Sequence, residues 1–341
     1  MAKRLNQATL RDVAKAAGVD VSTASRVLQN SRDARVREDT RKRILDAAHQ
    51  LAYRVNPLAR ALKTARSEAL LMIVPQIENP IFSSAILGAE AEARQSGYAL
   101  LVAYDRDGSA AAVLERVSRA SLIEGVIIAS FDDDDHLRQA ISAIDLPSVV
   151  INRILPDFDA CVALDTRAAS KIVVEHLIDL GHRRIGHLAG RLGRFNGDAR
   201  MHGWQDAFLA AGLEPDADLV VEAGYDPQRV PDAVDRLLSR DVTAIHAATL
   251  LTGAATVAHL HASGRRIPED VSVVTLHDDL LAKVVFPQIT TVEMPTEQMG
   301  CAAVRILVDR LTSRGDDPCE TPMPALLAPK KLMIRGSSGP V

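Results

Sequence analysis

The first fifty residues carry hydrophobic positions at intervals of three and four, which is the spacing of amphipathic helices. The first predicted helix begins after Thr9, which forms a capping pair with Asp12, and ends at Gly18, which suits the left-handed conformation that closes helices. Asp20 is placed to cap a second helix over residues 21–29. A third is predicted over the positions 38–52. The predicted inward positions are Leu10, Val13, Ala14 and Ala17, then Ala24, Val27 and Leu28, then Ile44, Leu45, Ala48 and Leu51.

The outer face of the second helix is polar. It carries short hydroxyls, an amide and a guanidinium, which hydrogen-bond base edges and phosphates. These residues are Ser22, Thr23, Ser25, Arg26 and Gln29. A short turn before such a helix is typical of a helix-turn-helix motif, whose second helix enters the major groove of DNA. The pattern predicts a DNA-reading head over residues 1–55.

Beyond residue 67 the pattern changes to short, continuous apolar runs separated by helical segments. Buried strands that alternate with helices indicate parallel sheets covered on both faces. About 270 residues are too many for one such sheet, so an α/β body of two lobes is expected. The predicted strands are 70–74, 98–103, 125–129, 148–151, 185–189, 219–221, 244–247 and 271–276, and helices include 83–95, 166–180 and 199–211.

The composition is that of an ordinary globular protein, with 47% hydrophobic and 25% charged residues in 341. The apolar run 69–75 is too short to span a bilayer. The basic start of the chain is followed by no apolar stretch, so we expect no secretory signal and a cytoplasmic protein. The three cysteines, Cys161, Cys301 and Cys319, are scattered and predict neither disulfides nor a metal site. No cofactor is predicted.

Charge divides the chain unevenly. Residues 1–66 hold 15 basic and 6 acidic side chains, a net charge of +9, although the whole chain has a net charge of −4. A basic head on an acidic body is expected when one segment meets nucleic acid and the rest does not.

An enzyme is not indicated by any of the motifs. The glycines of the segment 190–197 match neither phosphate-binding pattern of nucleotide enzymes, and we read the segment as a tight loop that presents Arg200. No nucleophile and base stand in a supporting motif. The acidic run 132–135 is interpreted as a solvated loop. Four histidines lack zinc-site partners: His182, His187, His259 and His261. A stand-alone solute-binding protein is the alternative class, and deletion of residues 1–66 would distinguish it.

Residues 56–63 lie between head and body. Asn56 and Pro57 are a good helix start, but about seven residues are too few for an isolated helix to be stable. We therefore predict a short helix that forms only when a partner holds it. An ordinary linker is the alternative.

Long segments of the chain are similar to one known family. The segments TLRDVAKAAGVDVSTASRVLQN and RVREDTRKRILDAAHQLAYRVNPLARALKT resemble the head of the LacI/GalR family of bacterial transcription regulators. In the body, LLMIVPQIENPIF, VEHLIDLGHRRIGHLAG, ARMHGWQDAF, RRIPEDVSVV and ITTVEMPTEQMG follow in the family's order and spacing.

The resemblance assigns roles to residues of the head and hinge. It implies that Val21, Ser22 and Arg26 read bases, that Ser25, Asn30 and Tyr53 hold phosphates, and that Leu62 enters the minor groove beside Lys63. Packing of Leu62 against the body is the alternative. The full DNA-binding set comprises Thr9, Val21, Ser22, Thr23, Ser25, Arg26, Asn30, Tyr53, Asn56, Ala59, Leu62 and Lys63. Asp20 and Arg37 depart from the family's usual small capping residues.

Polar residues at the carboxyl ends of the predicted strands suggest a ligand site, because open α/β sheets bind ligands there. The predicted effector-binding residues are Asn79, Phe82, Arg153, Arg200, His277 and Asp278. The resemblance implies a sugar or nucleobase-like effector. Thr249, Leu250 and His277 make one wall less acidic than the family's, which argues against a typical sugar.

The sequence therefore predicts a ligand-responsive transcriptional regulator. We expect a repressor that binds a near-palindromic operator in double-stranded DNA as a homodimer, with no membrane partner. The predicted domains are the head 1–55, a hinge and linker 56–66, and a periplasmic-binding-protein-like body 67–335. Its lobes are expected to comprise 67–160 with 291–320, and 161–290 with 321–335.

Overall fold

The computed structural model describes residues 8–28, 36–53, 67–104, 109–117, 123–130, 133–312 and 324–341. The chain forms two compact units, Met1–Ser67 and Glu68–Val341. Five predicted DNA-binding residues lie outside the described residues: Asn30, Asn56, Ala59, Leu62 and Lys63.

The head contains the helices α1 (Leu10–Ala17), α2 (Val21–Leu28) and α3 (Glu38–Gln50). Thr9 and Asp12 form the predicted capping box, and Gly18 ends α1 at φ 64°. The Asp20 carboxylate accepts the backbone N–H of Ser22 at 2.7 Å and so caps α2. Arg37 precedes α3 without a side-chain cap, as its departure from a small residue implies.

The head core is small and aliphatic. It contains Val13, Ala14, Ala17, Ala24, Val27, Ile44, Ala47 and Ala48. Leu45 and Leu51 were expected in this core, but both are exposed. Leu45 follows Ile44 by only one position and so faces another side of α3. Leu51 comes after the last residue of α3.

The first lobe of the body contains a six-stranded parallel sheet in the order β11-β5-β4-β3-β1-β2. Its strands are β1 (Ala69–Val74), β2 (Ala99–Tyr104), β3 (Gly125–Ile128), β4 (Ser148–Ile151), β5 (Cys161–Leu164) and β11 (Ala325–Leu327). Its helices are α4 (Pro80–Gln95), α5 (Ala110–Val117), α6 (Asp134–Ser142) and, late in the chain, α12 (Thr296–Thr312).

The second lobe contains a six-stranded sheet in the order β12-β10-β9-β8-β6-β7, in which only the pairing of β12 with β10 is antiparallel. Its strands are β6 (Ile185–Ala189), β7 (Val220–Glu222), β8 (Ala244–Ala247), β9 (Ser272–Leu276), β10 (Thr290–Val292) and β12 (Leu332–Met333). Its helices are α7 (Thr166–Asp179), α8 (Phe195–Ala210), α9 (Val230–Leu238), α10 (Leu250–Ala262) and α11 (Leu280–Val284), with short 3-10 turns at Ala217–Leu219 and Pro227–Arg229.

The lobe boundaries differ from those predicted. Cys161–Leu164 and Ala325–Leu327 were expected in the second lobe, but they pair with each other in the first sheet. The chain therefore passes between the lobes three times, after Leu164, after Val292 and after Leu327. Pairing between segments 160 residues apart leaves no periodic signal in either segment, which explains the error.

Within the acidic run 132–135, the described residues Asp133, Asp134 and Asp135 do not lie in a loop, and Asp132 lies outside the described residues. Asp133 accepts the N–H of His136 at 2.9 Å and caps α6, so Asp134 and Asp135 lie in the first helical turn, where negative charge is favoured. Among the described residues, no group of three or more metal-ligating side chains could hold an ion. None of the described helices is long and apolar enough to cross a membrane.

Candidate functional site

The exposed face of α2 is the candidate DNA-reading surface. Val21, Ser22 and Arg26 are exposed and Thr23 is half-buried. Ser25, in contrast, is only 5% exposed. The structure therefore does not present the Ser25 side chain for the phosphate contact that the resemblance implies.

Arg26 bends back along α2 toward the helix start. Its guanidinium donates to the backbone oxygen and to the hydroxyl of Ser22 at 3.3 and 3.4 Å. These are long bonds on an exposed surface, so a better acceptor such as a guanine edge or a phosphate can replace them. Thr9 caps α1 with its hydroxyl, and Tyr53 packs against the head core.

A cleft lies between the two lobes of the body, at the carboxyl ends of the strands of both sheets, where open α/β sheets bind ligands. Residues in the loops after β3, β4, β6, β7, β8 and β9 line it, together with residues at the beginning of α4 and α8. The space measures about 680 Å³, part of it open to solvent. The lining residues are Asn79, Ile81, Phe82, Ala129, Ser130, Ile151, Asn152, Arg153, Arg191, Arg194, Phe195, Asn196, Arg200, Tyr225, Thr249 and His277.

Five of the six predicted effector residues line this cleft. They are Asn79, Phe82, Arg153, Arg200 and His277. The Asn79 amide caps α4, and Arg153 pairs with the Asp134 carboxylate of α6. Both residues are therefore held in place by first-lobe contacts before any ligand binds.

Asp278 does not line the cleft. Its carboxylate pairs with Arg335 at 2.5 Å and with Lys283 at 3.5 Å, and it accepts the hydroxyl of Thr291 at 2.8 Å. These hydrogen bonds and cations hold the pKa of Asp278 below its usual value, although burial opposes them. Asp278 thus supports β10 and the C-terminal segment, and we correct its assignment to the effector site.

Two glycines position Arg200. Gly197 was expected to end a loop, but it lies in the first turn of α8, where a side chain would collide with the backbone oxygen of Arg191. A side chain at Gly190 would collide with the ring of Tyr225. Because both positions lack one, the turn after β6 folds tightly over α8, and Tyr225 reaches the Arg200 guanidinium at 3.4 Å.

Buried histidines lie near Arg200. His187 and His246 stack with ring centroids 4.7 Å apart, and His187 also stacks on Trp204. Burial, together with the nearby Arg200 charge, lowers the pKa of His187 to about 4 and that of His277 to about 3. Burial likewise takes the pKa of His246 well below its usual value. All three rings are therefore neutral at neutral pH.

Sequence reasoning missed most of the second-lobe lining, including Arg191, Arg194 and Asn196. Asn196 donates to the backbone oxygen of Asn152, and Ser84 donates to Asp279 at 3.1 Å, so these contacts join the lobes on either side of the cleft. A signal was present, because Ser130, Asn152, Tyr225 and Thr249 also follow predicted strands.

Comparisons with known proteins agree with this architecture. Residues 9–56 match the bacterial regulatory proteins of the lacI family, and residues 174–338 match the periplasmic binding protein-like domain. The chain is 33% identical to the HTH-type transcriptional regulator CelR of Thermobifida fusca over 98% of this chain and 99% of that protein. It is 31% identical to the regulator GalR of Escherichia coli K12 over 88% of each.

Solved structures show the same fold. A complex of the transcriptional regulator CelR with cellobiose superposes with a TM-score of 0.72 at 32% identity, covering 97% of this chain and all of that one. A lac repressor dimer bound to operator and the anti-inducer ONPF superposes with a TM-score of 0.83 over 98% of this chain and all of that one, at 23% identity.

The protein therefore belongs to the LacI family of bacterial regulatory proteins. It is a helix-turn-helix transcriptional regulator with a periplasmic-binding-protein-like body.

Proposed function

We propose that this regulator is a repressor that binds a near-palindromic operator as a homodimer, and that a small molecule in the body cleft controls this binding. The observation that carries the proposal is that one chain contains both a helix-turn-helix head and a cleft with polar lining residues. The CelR–cellobiose complex and the operator-bound lac repressor dimer support it, because related proteins hold a sugar or DNA with the same fold.

Two other assignments follow from this proposal. We infer that the protein is not an enzyme, since its relatives are transcription regulators and the cleft residues are explained by binding. We infer that it acts in the cytoplasm, where chromosomal DNA is accessible. A stand-alone solute-binding protein fits less well, because the basic three-helix head would then have no role.

We propose that Val21, Ser22, Thr23 and Arg26 read base edges. Three of the four are exposed on α2, and the chain places them at the N-terminal part of the second helix, which reaches the groove floor in helix-turn-helix proteins. Thr9 and Tyr53 flank this surface in sequence and are assigned to phosphates. The hinge assignments, residues 56–63, stay a prediction from the sequence.

Replacement of Arg26 by alanine tests the base-reading assignment. If the guanidinium reads a guanine, Arg26→Ala weakens binding to the selected operator by about 1–3 kcal/mol and relaxes the preference at one position of each half-site. Duplexes selected from a random pool by the wild-type and variant proteins measure both effects. A uniform loss on all sequences would assign Arg26 to a phosphate instead. Arg11→Ala on α1 is the control for general loss of positive charge.

We propose that the dimer forms through an apolar face of the body. Edge strand β2 exposes Leu101, Val102 and Tyr104, and the neighbouring helix α4 exposes Leu87. The Ser84–Asp279 hydrogen bond brings α11 beside α4. That segment adds three exposed residues: Leu280, Val284 and Phe286. Exposed apolar residues of this kind, part of them on a sheet edge, are typical of an association surface.

Sedimentation of the full chain should therefore give twice the chain mass. The double substitution Leu101→Glu with Val284→Glu should yield a monomer that keeps its folded circular-dichroism spectrum, because charge is introduced only on exposed positions. The matched control, Leu209→Glu on exposed α8, should stay dimeric. A variant that remains a dimer would place the interface elsewhere.

A further inference from the structure

The cleft is lined by four cationic side chains and no carboxylate among the residues that the structure describes. The cations are Arg153, Arg191, Arg194 and Arg200. Arg153 faces Asp134, and Arg194 lies near enough to Asp133 to lower the pKa of that carboxyl. Arg200, in contrast, has neither an ion pair nor an acidic neighbour in the described part of the body.

Arg200 is the most deeply buried of these charges. Its residue is 2% exposed, its Nε makes no hydrogen bond to described residues, and its side chain contacts Tyr225 through one 3.4 Å bond. The guanidinium carbon lies 5.9 Å from the centre of the same ring. Burial without an acid costs free energy because it removes the charge from water with little compensation, and Arg stays protonated nonetheless.

His277 faces the same space and is equally unpaired. It is 5% exposed, and neither ring nitrogen bonds to a described residue. Its backbone is held at φ 70°, a left-handed conformation that is uncommon outside glycine. A strained residue that aims a free imidazole into a cleft is typical of a ligand contact. The neutral ring has one donor and one acceptor, so it adds a hydrogen bond but no charge.

Aromatic side chains also line the cleft. Phe82, Phe195 and Tyr225 line it, in a chain that contains six phenylalanines and four tyrosines. Aromatic rings supply a flat apolar face for the body of a small molecule. The cleft thus combines cationic side chains with aromatic faces.

We propose that the effector is a small organic anion, whose carboxylate or phosphate pairs with Arg200 and accepts from His277 while its uncharged part lies against Phe82, Phe195 and Tyr225. This inference rests on the proposed ligand-binding function of the cleft and names its ligand class. Carboxylate and phosphate both match the planar fork of a guanidinium, which binds two oxygens at once. The anion would supply the acid that Arg200 lacks within the protein.

The test uses the full chain and matched sets of small molecules. Each set contains a neutral polyol or sugar, its phosphate and its acid: glycerol, glycerol 3-phosphate and glycerate; glucose, glucose 6-phosphate and gluconate; fructose and its two monophosphates. Inorganic phosphate and sulfate test the binding of an anion that has no organic part. Thermal melting at constant ionic strength ranks the probes, and calorimetric titration gives their affinities.

We expect phosphate or a phosphorylated or acidic probe to raise the melting temperature above that in chloride, while the neutral member of the same set does not. If only the phosphates, or only the carboxylic acids, raise the melting temperature, that chemical group is the one that the cleft binds. Arg200→Gln should weaken the effective probe by about tenfold or more, whereas the surface control Arg184→Gln should not. Arg200→Met should melt no lower than the wild type without ligand, because an uncompensated buried charge is removed.

Two outcomes would overturn the proposal. One is binding of neutral probes only, or of no anion in any set. The other is an anion effect of equal size in Arg200→Gln. Neither outcome touches the proposed regulatory function, which fails separately if a probe that binds the cleft leaves operator affinity unchanged.

Discussion

Acidification from about pH 7 to about pH 5 should destabilise the body by on the order of 4 kcal/mol, about 2 kcal/mol from each of His187 and His277, with a further loss from His246. Burial lowers the pKa of His187 to about 4, that of His277 to about 3 and that of His246 well below 6.5. In the unfolded chain the same rings titrate near 6.5. Between these values the unfolded state binds more protons than the folded state, so stability is retained above pH 6.5 and lost as pH falls.

The tryptophan content of the chain makes this measurement specific. Trp204 is the single tryptophan, it is fully buried in the second lobe, and it stacks on His187. Urea unfolding followed by its fluorescence therefore reports on the body and not on the head. Equal unfolding free energies at pH 7 and pH 5 would contradict the prediction. His246→Gln should lower by about one the number of protons that the chain takes up on unfolding, whereas the exposed control His136→Gln should leave that number unchanged.

Operator binding should weaken by about 10³–10⁵ between about 50 mM and about 200 mM salt. Residues 1–66 have a net charge of +9, and two copies of them on a near-palindromic site place about ten cations at phosphates, each adding about −0.9 to the log–log salt slope. Filter or fluorescence titrations of a selected duplex at four salt concentrations measure this slope. The isolated body, residues 68–341, is the control and should not bind. A slope near −2 would assign most of the affinity to uncharged contacts.

Local signals explain why the head was predictable from the sequence. The Thr9–Asp12 capping box, the Gly18 stop and the Asp20 cap depend on residues within four positions of one another, and all three are confirmed. Leu45 and Leu51 were wrongly predicted to be buried. The exposure of Leu45 depends on its position around α3, and that of Leu51 depends on where α3 ends. One-residue shifts of this kind are not resolved by periodicity.

Some strands of the body could be predicted from the sequence and others could not. Strands β1, β4, β6, β8 and β9 were predicted because they are continuous apolar runs, but β5, β10, β11 and β12 were not. The last three have only two or three residues, which carry too little pattern, and β5 pairs with β11 from a distant part of the chain.

The cleft was predicted from the same principle that places ligands beyond strand ends, and five of six named residues line it. Asp278 was misassigned because its partner Arg335 lies 57 positions later, and no local pattern reveals that ion pair. Conversely, only the structure reveals that Arg200 has no acidic partner among the described residues. The sequence contains Asp198 only two positions away, but that carboxylate accepts the backbone N–H of Gly193.

Ligand binding in the body cleft should be coupled to operator binding by the head. Operator affinity measured with and without a cleft ligand tests this coupling directly. The titration uses one selected duplex, one salt concentration and a saturating amount of the anionic probe that binds with highest affinity in the matched sets. We expect the probe to change the operator dissociation constant by about 5–150-fold, and operator DNA to change the affinity for the probe by the same factor. The same operator dissociation constant in the presence of bound probe would contradict it.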